Sequence, residues 1–246
     1  MKHLLIISSL VALSPIAIHA SHEKQIPIKN FWHGVDQEEL RTQVMQTLNL
    51  EANEFTNIIA FWKAKYQGID NWACHYPIVT DVIRVHGGRV GCEIGSAFGT
   101  QSEHILANTN VELLYSIDPY IPYDNGVFPK QATQKRMDVL AQIVEARLKQ
   151  FEKRSQLIRK TSIDASQDFP DNSLDFVYID GDHSYKAVST DLQAWWPKIR
   201  PGGILIGDDY NHKSHPGTKK AVDEFIRNNQ LKLVTKKGCK YIVVKK

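Results

Sequence analysis

From Arg89 onward the chain alternates strand-like apolar segments with amphipathic segments, and this alternation is the feature that most limits its fold. Alternating strands and helices are typical of a mostly parallel, doubly wound α/β sheet of Rossmann-like topology. We expect strands at 89–95, 111–118, 155–163, 174–180 and 202–209, and helices at 100–108, 129–151, 184–198 and 217–229.

The two ends of the chain follow other patterns. The last segment, "LKLVTKKGCKYIVVKK", predicts two strands joined around Gly238, and therefore an antiparallel hairpin at one edge of the sheet. Residues 21–86 repeat apolar residues at helical spacing and stop at Gly87-Gly88. We predict a helical N-terminal segment over 21–86 and the α/β domain over 87–246.

Composition excludes several classes of protein. The 246 residues are 42% apolar and 23% charged, as in an ordinary globular protein. A net charge of +3 without a clustered basic stripe does not indicate a nucleic-acid partner. The Lys-rich C-terminus, which includes Lys240, is interpreted as a solvated sheet edge. Three widely spaced cysteines form neither a disulfide framework nor a zinc motif, and Cys92 is expected in the core.

The first twenty residues have the layout of a secretory signal peptide. Lys2 and His3 precede an apolar stretch that runs from Leu4 to about Leu13, and cleavage after Ala20 is plausible. The stretch is too short for a membrane span, and no other segment is long enough. We expect an exported protein with no stable membrane span once the signal is removed; the alternative is an apolar N-terminal helix that stays attached.

A glycine-rich turn, "EIGSAFG", lies between the first strand and the first helix of the α/β domain. This is the place where a Rossmann-like fold binds its cofactor. Glu93 stands where a dinucleotide fingerprint needs a glycine, so its carboxylate would repel a pyrophosphate. It would instead accept hydrogen bonds from an ammonium group. Asp118 ends the second strand and suits the hydroxyls of a ribose.

Three acids follow two neighbouring strands of the predicted sheet. Asp180 ends the fourth strand, and Asp208 and Asp209 end the fifth. The carboxyl ends of parallel strands share one edge, where these carboxylates would raise one another's pKa values unless a cation joined them. All-oxygen ligands favour Mg²⁺, with Mn²⁺ or Ca²⁺ as alternatives. The alternative is that the acids cap helices and turns.

Histidines and aromatic residues surround the same edge. His183 follows Asp180 by three positions, and its imidazole can accept a hydroxyl proton as a general base; the alternative is a solvent-facing histidine. His212 and His215 lie on the loop after the acids and are candidates for substrate contact. The segment after Asp118 predicts a lid, with Tyr120 and Tyr123 as candidate wall residues.

These residues carry a resemblance. "VGCEIGSAFGTQSEHIL" resembles motif I of the class I S-adenosylmethionine (SAM)-dependent methyltransferases. "LDFVYIDGDHSYKAVSTDLQAWWPKIRPGGILIGDDY" is similar to the metal-dependent small-molecule O-methyltransferases, a group that includes the catechol and caffeoyl-CoA enzymes. The subgroup that methylates macrolide sugars is the closest. The resemblance covers residues 87–246.

The resemblance implies roles for single residues. It assigns Asp180, Asp208 and Asp209 to Mg²⁺, which would bind the hydroxyls of the substrate. Histidine at position 183 matches the sugar-methylating subgroup, whereas catechol-type relatives have lysine there. It implies that the cofactor SAM contacts Glu93, Gly95, Gly99, Asp118, Ser162, Ile163 and Asp180, with Ser162 and Ile163 at the adenine.

The sequence therefore predicts a SAM-dependent, divalent-metal-assisted O-methyltransferase that acts on a hydroxyl of a small molecule or sugar. The alternative is an exported binding or interaction protein that keeps the fold without turnover, because SAM is made in the cytosol. An NAD-dependent oxidoreductase is disfavoured by Glu93. No nucleic acid partner is expected, and a homodimer is favoured only as the commonest closed assembly.

The signal-peptide prediction has a direct test. N-terminal sequencing of the mature protein from its native host should begin near Ser21, because Ala20 precedes the expected cleavage site. Recovery of Met1 in a soluble cytosolic fraction would contradict export.

Overall fold

The computed structural model describes residues 26–27, 30–67, 74–122, 132–235 and 239–246. Its strands, in chain order, are β1 (Ile26–Pro27), β2 (Cys74–His75), β3 (Val90–Ile94), β4 (Leu113–Ile117), β5 (Ser155–Ile158), β6 (Leu174–Ile179), β7 (Ile199–Gly207), β8 (Leu233–Thr235) and β9 (Tyr241–Val244). Its α-helices are α1 (Gln37–Leu48), α2 (Ala52–Gln67), α3 (Pro77–His86), α4 (Thr100–Asn108), α5 (Gln134–Lys149), α6 (Ser162–Ser166), α7 (Tyr185–Trp195) and α8 (Pro216–Asn228).

Seven of these strands form one mixed sheet in the order β5-β4-β3-β6-β7-β9-β8. Strands β3 to β7 pair in parallel, whereas β9 is antiparallel to both β7 and β8. This confirms the predicted doubly wound sheet with an antiparallel C-terminal hairpin. The chain order reverses between β3 and β6, and ligands of open α/β sheets bind at such a reversal, beyond the carboxyl ends of the strands.

Each face of the sheet is covered by its own apolar layer. Phe176 and Tyr178 of β6 lie on the face of the sheet that is covered by the N-terminal helices and by α4 and α5. Val177 and Ile179 pack on the opposite side against α7 and α8, together with the buried Cys92. This alternation is the two-residue period of a strand that is buried on both faces. Cys92 is a core residue, as its apolar surroundings in the sequence predicted.

The helical N-terminal region shares the first of these layers. A buried ion pair lies between this region and the α/β domain: Arg147 Nη1 is 3.1 Å from Glu103 Oε2. Arg147 Nη2 also donates to the carbonyl oxygen of Phe31 at 2.8 Å. Trp62 of α2, which is fully buried, donates to the carbonyl oxygen of Arg136 at 2.7 Å. The region is therefore held to the domain by buried hydrogen bonds as well as by apolar contact.

Several strands begin or end at residues other than those predicted from the sequence. The strand expected over 155–163 ends at Ile158, because the Thr161 side chain accepts from the Asp164 amide and begins a helix there. The strand expected from 202 begins at Ile199. The two-residue antiparallel pair β1–β2 was not predicted.

Some predictions lie outside the described residues. These are the signal peptide of residues 1–20, the wall residue Tyr123, the turn at Gly238, and the start of the helix expected from 129. Within the described ranges, no helix combines the length and apolar character that a membrane span requires.

The buried ion pair under the N-terminal region should be important for stability. Arg147→Ala should lower the free energy of unfolding by about 3–5 kcal/mol, because it removes the fully buried cation that pairs with the buried Glu103 carboxylate. Arg84→Ala is the matched control. It removes an exposed pair with Asp81 and should cost at most about 1 kcal/mol. Denaturant unfolding of both variants checks this; equal losses would show that burial of the pair does not matter.

Candidate active site

The glycine turn after β3 brings two strand ends into close contact. Gly95 has a φ of +88°, and a Cβ on it would lie 2.4 Å from the carbonyl oxygen of Asp180. Its amide donates to the carbonyl oxygen of Ile117 at 2.8 Å. Gly99 begins α4 at a φ of +71°, with Val144 occupying the space of a side chain. Both glycines are therefore required by geometry, since any other residue would force β3 away from β6 or α4 away from α5.

Glu93 is withdrawn from water inside β3. Its Oε2 accepts a hydrogen bond from the Ser102 hydroxyl, which contacts Ser116 Oγ at 2.6 Å. Burial raises the pKa of Glu93 to about 8. The hydrogen bond from Ser102 lowers this pKa, and the nearby charge of Asp118 raises it. Without a ligand this carboxyl group is therefore neutral near pH 7, and a cation placed against it would favour its charged form.

Asp118, at the end of β4, is oriented by the backbone. Its two oxygens accept from the amides of Ala97 at 3.0 Å and Tyr120 at 2.9 Å. Burial raises its pKa, and these hydrogen bonds oppose the shift. Tyr120, a candidate wall residue of the predicted lid, is buried and donates its hydroxyl to the carbonyl oxygen of Ala97 at 2.9 Å, so it braces the glycine turn.

The predicted adenine contacts Ser162 and Ile163 lie at the start of α6, not in a strand. Ser162 Oγ donates to Asp191 Oδ1 at 2.5 Å and accepts from Trp195 Nε1 at 2.8 Å. Burial raises the pKa of Asp191 to about 6. The Ser162 hydroxyl therefore fastens α6 to α7, whereas the Ile163 side chain is exposed and is the member of the pair that is open to a ligand.

Asp180 and Asp208 meet at one tyrosine. Tyr178 Oη donates to Asp180 Oδ2 at 2.7 Å and lies 3.5 Å from Asp208 Oδ2. Burial, reinforced by the charge of Asp208, raises the pKa of Asp180 well above its ordinary value. The neighbouring Asp182 accepts from the Ser184 amide at 2.8 Å, so it serves the start of α7.

Lys240 forms an ion pair with Asp208 that the sequence does not predict. Its Nζ lies 2.5 Å from Asp208 Oδ1, and both side chains are buried. The same ammonium lies 3.2 Å from the ring centre of Tyr76. The Lys-rich C-terminal sequence predicts a solvated position for Lys240, and this prediction is wrong. The available signal was the strand period, which places Lys240 on the same face as the buried Ile242.

Three histidines gather around Asp209. His183 Nε2 and His215 Nε2 each lie 3.4 Å from Asp209 Oδ2, and His183 Nε2 lies 3.8 Å from Asp180. The ring of His215 is 4.8 Å from that of His183 and 5.1 Å from that of His212. Burial lowers the pKa of His183, against the opposing charge of Asp209. His183 is therefore a neutral imidazole at neutral pH, and it lies beside Asp180 and Asp209 at the edge of the sheet.

Comparisons with known proteins identify the type of domain and its fold. Residues 92–210 match the family model described as Methyltransferase domain. A similar solved structure, a Staphylococcus aureus protein named as a caffeoyl-CoA O-methyltransferase, is 13% identical, with a TM-score of 0.53 over 86% of this chain and 100% of that one. An O-methyltransferase from Bacillus cereus, solved in complex with SAH, is 14% identical, with a TM-score of 0.51 over 87% and 98%.

Residues 92–210 therefore form a methyltransferase domain. At this level of identity the two solved structures establish the fold alone. An uncharacterized protein of Sinorhizobium fredii is 35% identical over 72 residues, which are 29% of this chain. The chain spans 8% of that relative and 59% of an uncharacterized protein of Acanthamoeba polyphaga mimivirus, which is 25% identical over 143 residues.

The residues of the methyltransferase do not fit the predicted all-oxygen magnesium site. Asp208 already has the Lys240 ammonium as its cation, and Asp209 faces imidazoles. In the part of the chain that the structure describes, the cluster with metal-ligand spacing is Asp209, His212 and His215, whose ligand atoms lie within 4.8 Å of one another. Imidazole nitrogen is not a ligand that Mg²⁺ prefers.

The raised pKa of Glu93 predicts a pH-dependent stability for the ligand-free methyltransferase. Glu93 binds a proton in the folded chain up to about pH 8, but in the unfolded chain only up to about pH 4.5, so stability falls as pH rises between those values. The wild type should lose free energy of unfolding between pH 5.5 and 7.5, and Glu93→Gln should make that loss smaller by about 2–3 kcal/mol. Denaturant unfolding at both values measures it. The exposed Glu145→Gln should leave the loss unchanged; an unaltered loss in Glu93→Gln would show that Glu93 is ionised when folded.

Proposed function

We propose that this methyltransferase transfers a methyl group from SAM to a hydroxyl of a small molecule or sugar. The observation that carries the proposal is the meeting of two kinds of group at one edge of the sheet. Glu93 and Asp118 flank the glycine turn with acceptors for the methyl donor. His183 lies at the end of the adjacent strand β6, beside Asp180 and Asp209, as a base for the acceptor.

The residues of the cofactor half fit SAM. Asp118 is held by two backbone amides at the position where Rossmann-like folds bind ribose hydroxyls. Glu93 would accept from the ammonium group of the methionine part, and Gly95 lets the backbone approach it. The exposed Ile163 would cover the adenine. Bound there, SAM supplies a methyl group made electrophilic by its sulfonium charge.

The charge of this edge favours the donor over its product. SAM carries a sulfonium cation that the product of transfer lacks. The edge presents the carboxyl groups of Glu93, Asp118 and Asp180, and burial has raised the pKa of each of them. A cation nearby would favour their ionised forms and bind more strongly as a result. We therefore expect the donor to bind more tightly than the product, which has lost the sulfonium charge.

The acceptor half depends on His183. Its neutral imidazole can take the proton of an acceptor hydroxyl as the oxygen attacks the methyl group. The imidazolium that forms would face Asp209 at 3.4 Å and Asp180 at 3.8 Å, which would stabilise its charge. The same two acids would orient the ring before reaction. Such a base could also serve an oxidoreductase, so the preference for methylation rests on Glu93, which stands where a dinucleotide fingerprint needs a glycine.

The acceptor class is proposed from the resemblance and from the chemistry of the base. The sugar-methylating relatives have histidine at this position, and the two similar solved structures are named as O-methyltransferases. Assistance by a divalent cation is proposed with it, although Asp180, Asp208 and Asp209 do not form the expected oxygen cage. Export is proposed from the N-terminal twenty residues alone, and that pattern favours the second candidate, a binding protein without turnover.

Two substitutions separate the two halves of the proposed site. Asp118→Ala should weaken SAM binding by about 1–3 kcal/mol, because a charge-assisted hydrogen bond to the cofactor is lost. His183→Ala should bind SAM as the wild type does, but its turnover on an accepted hydroxyl substrate should fall by about 10²–10⁴-fold. Calorimetric titration of SAM and single-turnover methylation measure these effects. NADH provides the contrasting ligand and should not bind.

The same measurements can contradict the proposal. Binding of NADH without SAM would exclude methyl transfer. Tight SAM binding with no turnover on any hydroxylated acceptor would favour the binding protein. Full activity of His183→Ala would remove the proposed base while leaving the cofactor assignment intact.

A further inference from the structure

The loop that follows β7 places metal ligands beside the proposed base. Asp209 comes directly after the buried Asp208, and His212 and His215 follow it at intervals of three residues. The His212 amide donates to the Asp209 carbonyl oxygen at 3.3 Å, and the His215 amide donates to the His212 carbonyl oxygen at 3.0 Å. These successive turns direct the three side chains to one place, where their ligand atoms lie within 4.8 Å of one another.

The spacing of these atoms fits a tetrahedral metal. Zn²⁺ binds imidazole nitrogen and carboxylate oxygen at about 2.0–2.1 Å, so two ligands of a tetrahedron lie roughly 3.3–3.4 Å apart. Asp209 Oδ2 and His215 Nε2 are 3.4 Å apart. His212 is exposed, so its ring can rotate the remaining distance at little cost. A carboxylate and two imidazoles are the ligands of borderline transition metals, not of Mg²⁺.

We infer that Asp209, His212 and His215 bind a divalent transition metal of the zinc class. Three protein ligands leave a fourth position open, as in catalytic zinc sites. His183 lies next to that group, 3.4 Å from Asp209 Oδ2, and is not counted among the ligands. A hydroxyl on the open position would stand beside its imidazole. The catalytic use of the metal rests on the proposed function, whereas its binding does not.

The neighbouring acids support this assignment of ligands. Asp208 belongs to the buried pair with Lys240, and Asp180 accepts from Tyr178 at 2.7 Å. Both carboxylates therefore have partners of their own. Asp209 Oδ2, among the residues that the structure describes, has longer contacts of 3.4 Å with the imidazoles of His183 and His215. The cation is thus expected on the loop side of the edge and not between the ends of β6 and β7.

Cobalt is the probe for this site, because Co²⁺ has visible absorption bands that report tetrahedral nitrogen and oxygen ligation. Untagged full-length protein, free of metal and SAM, should bind one equivalent of Co²⁺ with such bands. Excess Zn²⁺ should abolish them and excess Mg²⁺ should not. His215→Ala and His212→Ala should each weaken Co²⁺ binding by at least about 100-fold, beyond the loss seen for residues that only orient a ligand.

Two kinds of control keep the result interpretable. His86→Ala, a histidine of α3 away from the loop, and His183→Ala should both retain the metal, and so should Asp180→Asn. Thermal unfolding of the metal-free variants should match the wild type, which His212→Ala in particular should satisfy because His212 is exposed.

The inference is overturned if wild type binds no Co²⁺, or if both loop variants bind it as wild type does. It is overturned equally if Asp180→Asn loses the metal while His215→Ala keeps it, which would restore the oxygen site. SAM titration without metal is scored separately, so failure of the metal site and failure of the methyl-transfer proposal give different results.

Discussion

The ion pair between Asp208 and Lys240 is the interaction on which both the site and the C-terminal strands depend. Its two charges are withdrawn from water, and each would be costly to bury alone. The pair joins the end of β7 to the start of β9, which are hydrogen-bonded neighbours in the sheet. It therefore anchors β9 to β7 and at the same time removes one carboxylate from the group available to a cation.

The other carboxyl groups at this edge also have hydrogen-bond partners within the fold. Glu93 accepts from Ser102, Asp118 from two backbone amides and Asp180 from Tyr178. Each carboxyl group is held in place by a partner from its own or an adjacent element. The positions of these carboxyl groups are thus set before any ligand binds. Burial has raised their pKa values, and a cationic ligand would lower them again by favouring the ionised forms.

The histidines extend this arrangement toward solvent. His183 begins a segment after β6, while His212 and His215 come from the loop after β7, and they meet only because those strands are neighbours. Apolar packing on both faces of the sheet sets that neighbourhood, since Phe176 and Val177 of β6 bury on opposite sides. Strand order therefore places the histidines beside β6 and β7, and Glu93 and Asp118 at the ends of β3 and β4, along one edge of the sheet.

The sequence by itself determined the class of fold, the order of its elements and the site positions at strand ends. Period and turn residues are local signals, and Gly95, Gly99 and Asp118 lie where those signals predicted. Tertiary structure decided the partners: Lys240 for Asp208, the imidazoles for Asp209, and Asp191 and Trp195 for Ser162. These pairs join residues that are mostly far apart in the chain, and a strand pattern gives the direction of a side chain but not the group it meets across the sheet.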